Sequence, residues 1–277
     1  MNPVSRALWF VESHSQESLA LDEIALACRV SPYHLTRAFA AATGLSLMRY
    51  VRGRRLSEAA RKLALGADDI LRLAIDTGYG SHEAFTRAFR DQFGCTPEQV
   101  RGQGNCSNLL LVEAIEMSTS TLPDVTPDRF GTHEPRTFVG LVERYACQAP
   151  KGIPAQWQRV GPYLGSLQGQ VDHAAYGVVF NFDSDSNFDY LTGVEVRGNP
   201  ELPQGFQTHQ TPKQKYAIFH HKGHIAGIRD VIAAIWNKWL PDSGCQVAKG
   251  ATLERYPPEF NPMTGMGGFE IWVPIQE

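Results

Sequence analysis

Apolar residues recur with a helical period through the first part of the chain and with a two-residue period through the rest. Leu35, Ala38 and Phe39 fall at i, i+3 and i+4, and so do Phe85, Ala88 and Phe89, so each triplet lies on one helical face. The stretches around them, Ser31-Pro-Tyr-His-Leu-Thr-Arg-Ala-Phe39 and Ser81-His-Glu-Ala-Phe-Thr-Arg-Ala-Phe89, are one design written twice, at an offset of 50. The opposite face carries Tyr33, Thr36 and Arg37 in the first copy and Glu83, Thr86 and Arg87 in the second. Ser31 and Ser81 suit the N-cap, and Pro32 suits the first helical turn. A shorter apolar segment and a tight turn precede each copy: Ile24–Val30, then Leu73–Gly80. Helix, turn and a second helix with exposed donors is the helix-turn-helix pattern, present here in tandem.

The same pattern predicts an amphipathic helix over 4–14 and a long helix over 47–65, capped by Ser46 and ended by Gly66. The long helix carries Arg49, Arg52, Arg54, Arg55, Arg61 and Lys62 on its outer face. Either a solvated surface or phosphate contact explains such a run. At 1.5 Å per residue the helix is roughly 28 Å long, close to the ~34 Å between successive major-groove segments on one side of a duplex. A single chain can then read two adjacent grooves at an asymmetric site. A short helix is expected over 108–117, followed by a polar linker.

Strand-type alternation begins later, at 137–145, 175–182, 190–196, 215–220, 251–256 and 268–273. Helices are predicted between them at about 152–165 and 224–239. Strand-helix-strand-strand therefore occurs twice, which suggests two pseudo-repeated α+β halves. The expected fold class is multidomain: an all-α tandem helix-turn-helix domain over 1–107, a linker over 108–126 and an α+β domain over 127–277.

Composition adds two points. Net charge is −3, but residues 1–108 hold thirteen Lys and Arg against eleven Asp and Glu, while 109–277 hold thirteen against eighteen. A basic-leaning first part suits a nucleic-acid reader joined to a different second part. The five cysteines are scattered without a CxxC, which reads as reduced thiols in a cytoplasmic protein. The start lacks a signal peptide's apolar core, and no run approaches a membrane span.

Residues 1–104 resemble the DNA-binding domain of the AraC/XylS family of bacterial transcription regulators. The residues that carry the likeness are Ile24-Ala25, Ser31–Phe39, Gly44, Gly78-Tyr79, Phe85–Phe89, Phe93-Gly94 and Thr96-Pro97. The resemblance implies a DNA-binding regulator, more often an activator, with double-stranded DNA and RNA polymerase as partners. It implies base reading by Tyr33, Thr36, Arg37, Glu83, Thr86 and Arg87; on the basic face of the long helix between them, Arg52 and Arg54 are the candidate phosphate contacts. Glu83 departs from the usual neutral residue there, and suits either a cytosine amino group or the helix N-terminus.

Residues 130–277 are similar to the GyrI-like effector-binding domain of regulators of multidrug responses, through Tyr190–Val196, Lys222-Gly-His224, Trp239-Leu-Pro241, Leu253–Tyr256 and Phe269–Pro274. That likeness implies a cleft for a small organic ligand, lined by aromatics and carboxylates that suit a lipophilic cation. The candidates are Glu195, Glu254, Glu270, Tyr145, Tyr190, Tyr256, Trp236 and Trp272. Period two puts Glu254 with Tyr256, and Glu270 with Trp272, on common faces.

Other readings weigh less. Strand alternation sends His220 and His221 to opposite faces, against a metal site. Asp183–Asn187 begins like a calcium loop, but Phe188 holds the glycine position and Val194 the bidentate carboxylate position. No cofactor motif or nucleophile elbow is present. Some GyrI-like relatives hydrolyse small electrophiles, so the alternative is an enzyme with Glu270 or Glu254 as base and Tyr145 or Tyr190 as proton donor.

Overall fold

The structure, a computed structural model, describes residues 2–14, 18–67, 69–115, 122–147, 152–183 and 185–276. Apart from the first two residues, the chain divides into two compact units, one drawn from 3–35 and 46–119 and the other from 36–45 and 120–277.

Among the described residues, seven helices open the chain: α1 Pro3–Ser13, α2 Leu21–Cys28, α3 Pro32–Thr43, α4 Leu47–Ala64, α5 Ile70–Asp76, α6 His82–Phe93 and α7 Pro97–Gln103. Side chains chosen for the purpose hold their N-termini. Ser46, Asp69, Ser81 and Thr96 accept from the amides of Arg49, Arg72, Ala84 and Gln99, which satisfies donors that no intrahelical partner can reach. The tandem repeat extends to the backbone of the turns. Val30 N donates to Ala25 O, and Tyr79 N to Ala74 O. Gly78 takes the left-handed conformation after α5, and Arg29 takes it after α2 at φ 57°, where a side chain costs more than glycine does.

The core of the first unit joins Leu56, Ala60 and Leu63 of α4, Leu73 of α5, Phe85 and Phe89 of α6 and Val100 of α7. The helix expected over 108–117 is absent from 108–115, and 116 and 117 lie outside the described residues. This stretch instead runs irregularly along α4, because α4 side chains take up its backbone groups. Val112 N donates to Ser57 Oγ at 2.8 Å, Arg54 Nη1 to Val112 O at 2.9 Å, and Ile115 N to Tyr50 Oη at 3.3 Å. A helix would need those groups for itself.

The second unit is built on an eight-stranded antiparallel sheet: β1 Arg129–His133, β2 Arg136–Ala146, β3 Ala175–Phe180, β4 Asn187–Val196, β5 Gln207–Thr211, β6 Gln214–His221, β7 Thr252–Tyr256 and β8 Phe269–Ile275. The order is β1-β6-β8-β7-β3-β4-β2-β5. The expected pseudo-repeat is plain in it: β2, α8 (Ile153–Val160), β3 and β4 form one half, and β6, α9 (Ile228–Ala234), β7 and β8 the other. The halves join edge to edge through β3 and β7. After α9 the chain makes a π-helical turn, Ile235–Trp239, before α10, Leu240–Ser243.

Gly140 and Gly193 face each other across β2 and β4; a Cβ on either would overlap the opposite strand's carbonyl, so this close approach depends on glycine. One sheet face packs Val139, Val194 and Val196 against Val160 of α8. The other curls on itself. Arg136 of β2 lies over the Trp272 ring of β8 at 4.7 Å, and Phe180 of β3 stacks on His209 of β5 at 3.8 Å.

Candidate functional site

The nucleic-acid face is most open on α6. Phe85 and Phe89 hold the helix to the core, which turns Glu83 and Arg87 fully outward, with Thr86 partly covered between them. The backbone at the start of α6, and then the Ser81 side chain, hold the Glu83 carboxyl below its usual range. On α3, Tyr33 is half-buried, while Thr36 and Arg37 are buried. The two helices, alike in sequence, thus present different surfaces.

On α4, Arg52 is exposed. Arg54 is not: its guanidinium lies 2.7 Å from Glu12 Oε2 and 3.3 Å from Glu58 Oε1 while holding the Val112 carbonyl. The Arg54 hydrogen bond is the main cause holding the Glu12 carboxyl below its ordinary range. Arg54 therefore ties α1, α4 and the 105–115 stretch together, and its place in the structure offers no charge to a phosphate.

The second constellation centres on Glu254, which is 8% exposed. Tyr190 Oη donates to Glu254 Oε2 at 2.6 Å and Tyr256 Oη donates to the same oxygen at 2.9 Å. Trp157 Nε1 of α8 donates to Tyr190 Oη at 3.2 Å. Gln156, also on α8, fixes the surroundings: its amide nitrogen donates to Leu141 O and Tyr190 O, and its oxygen lies 2.7 Å from Tyr145 Oη. The register makes this possible, since Gly177 of β3 stands directly opposite Glu254. A Cβ there would overlap Tyr190 Oη and come within 2.7 Å of Glu254 Oε2.

Aromatic rings surround the carboxylate. Trp157 meets Tyr256 edge-on at 5.1 Å, and Tyr145 and Phe188 approach Tyr190 at 6.3 and 6.5 Å. Burial raises the Glu254 carboxyl above its ordinary range, against the phenol hydrogen bonds and the charge of Arg37. Burial likewise pushes Tyr190 and Tyr256 well above the usual phenol value, so both keep their protons.

Arg37, from the part of α3 that belongs to the second unit, completes this wall. Its guanidinium carbon lies 4.7 Å from the centroids of both Phe182 and Trp236, and Nη2 donates to Thr252 Oγ1 at 3.1 Å. Thr252 shares a sheet face with Glu254, two residues on.

The structure does not bring Glu270 to this site. In the β7–β8 register Ile271 opposes Glu254, and Glu270 opposes Arg255, so the two carboxylates point to opposite sheet faces. Glu270 accepts from Trp272 Nε1 at 2.8 Å and from Arg129 Nη2 at 2.8 Å. Glu195 lies on that second face too, 3.3 Å from Arg136 Nη1, and its carboxyl is raised chiefly by burial. Each of these carboxylates has its positive partner within the fold, whereas Glu254 meets phenols. Gln156, Trp157, Gly177, Phe182 and Thr252 were not among the sequence candidates. The one signal was a glutamine on the apolar stripe of α8.

Two family models match this chain, a helix-turn-helix domain over residues 24–103 and a GyrI-like small molecule binding domain over residues 129–276. The chain belongs to the AraC-type regulators that carry a GyrI-like domain. This regulator is 27% identical over 274 residues to the transcriptional regulator Rob of Salmonella typhimurium, covering 93% of this chain and 91% of Rob. It is 34% identical over 92 residues to the multiple antibiotic resistance protein MarA of the same organism, covering 33% of this chain and 72% of MarA. Among solved structures, SAV2435 bound to tetraphenylphosphonium is similar at a TM-score of 0.46 and 17% identity, over 56% of this chain and 94% of that one. The regulator therefore combines a DNA-binding helix-turn-helix domain with a GyrI-like small molecule binding domain, and its regulation is modulated by a ligand. No helix among its described residues is long and apolar enough to cross a membrane.

Proposed function

We propose that this regulator is a cytoplasmic activator that reads two adjacent major-groove segments through α3 and α6, contacts RNA polymerase at its promoters, and responds to a lipophilic organic cation. Residues 1–107 are the DNA-binding module, 108–126 the linker and 127–277 the effector module. The observation that carries the ligand class is Glu254: a buried carboxylate whose neighbours are phenols and aromatic rings. A cation entering such a site gains ring quadrupole and charge together.

In this reading the domain binds its ligand without chemistry on it. Glu254→Gln keeps the shape and removes the charge. It should weaken tetraphenylphosphonium at least about tenfold, on the order of 1.4 kcal/mol, and leave the neutral triphenylphosphine oxide unchanged in isothermal titration. Equal losses for both compounds would make Glu254 a structural residue, and recovery of a chemically altered ligand would point to an enzyme.

On the DNA side, Arg87→Ala should cost about 1–3 kcal/mol at the specific site and less on random duplex. Arg52→Ala should weaken both alike and lower the salt slope by about one. The reverse pattern in filter-binding titrations would exchange their roles.

A further inference from the structure

We infer that Arg37 is the resident cation of the aromatic cluster around Glu254, displaced when an organic cation enters and thereby returned to base reading; this rests on the ligand class proposed above. The two recognition helices supply the first reason. Arg37 and Arg87 are the same position of the repeat, yet Arg87 is open to solvent while Arg37 is 7% exposed. The surroundings of Arg37 supply the second. Its guanidinium lies between Phe182 and Trp236, 4.7 Å from each ring, and is anchored on Thr252 beside Glu254. Its charge acts on the Glu254 carboxyl. These are the contacts an aromatic cation would seek.

The chemistry fits the role of a stand-in. Guanidinium is planar, delocalised and weakly hydrated, so it is the side chain closest in character to a lipophilic cation, and it stacks on rings without needing a carboxylate at contact distance. The same planar fork matches the acceptor edge of guanine. One group cannot lie on these rings and in a major groove at once. Ligand and DNA then favour the same state, in which Arg37 has left the rings, and by linkage each must raise affinity for the other by the same factor.

The test uses the full chain in three forms: wild type, Arg37→Leu and Thr252→Val. The probes are tetraphenylphosphonium by isothermal titration and, by fluorescence anisotropy, a labelled duplex selected with the wild-type protein. Arg37→Leu removes the internal competitor and should bind tetraphenylphosphonium about three- to tenfold tighter. Thr252→Val keeps Arg37 but removes its anchor, so it should bind both the cation and the duplex tighter than wild type does. Unchanged or weaker cation binding by both variants would overturn the displacement and leave the cation-binding reading standing. If no form binds tetraphenylphosphonium, the duplex decides. A tighter complex with Thr252→Val keeps Arg37 as a latch and removes the cation reading, whereas an unchanged one removes both. Should Arg37→Leu fail to fold, Thr252→Val carries the test alone.

Discussion

Glu254 shows how much one carboxyl can be asked to do. Its folded pKa is raised mainly by burial, with Tyr190, Tyr256 and Arg37 opposing, so the folded state holds its proton more tightly than the unfolded chain does. The stability this contributes is fully present below the unfolded carboxyl range and is lost as pH rises through the folded value. Glu254→Gln should therefore be favoured over wild type increasingly as pH rises from about 4 to 7. Melting temperatures of the two proteins across that range check it, and parallel curves would mean the carboxyl is solvated. Period-two alternation brought Glu254 and Tyr256 together from the sequence. It could not show which sheet face Glu270 would share, because that depends on how β8 pairs with β7. Nor could it show Gly177, whose role is to be missing a side chain where Tyr190 reaches across.

Among the elements, the repeated helices were legible because caps, turns and apolar faces agree with one another over a short span. The strands β1 and β5 were not. Arg-Phe-Gly-Thr-His and Gln-Thr-His-Gln-Thr lie at the sheet edges, with little apolar alternation to mark them. The long basic helix α4 misled at one position. Arg54 looks like its neighbours Arg52 and Arg55 in sequence, but Glu12, far away along the chain, claims it. Arg54→Met should consequently lower stability by about 2–3 kcal/mol, by stranding partly buried partners. Urea unfolding of the full chain measures this, and a loss below about 0.5 kcal/mol would return Arg54 to the solvated surface. The expected helix over 108–117 failed for the same reason: Ser57, Arg54 and Tyr50 offer its backbone partners that a helix would forgo.

At the scale of the whole molecule, the placement of Arg37 has a consequence for dose. Arg37 lies in the same unit as the rings and the threonine that hold it. Under the displacement proposed above, the guanidinium therefore competes from within the chain, and a dissolved cation must outbid a rival that never diffuses away. The concentration at which the regulator responds is then set by the hold on Arg37 as well as by the ligand's own contacts. A substitution that loosens that hold raises sensitivity to every cation the site accepts, with no new contact to any of them.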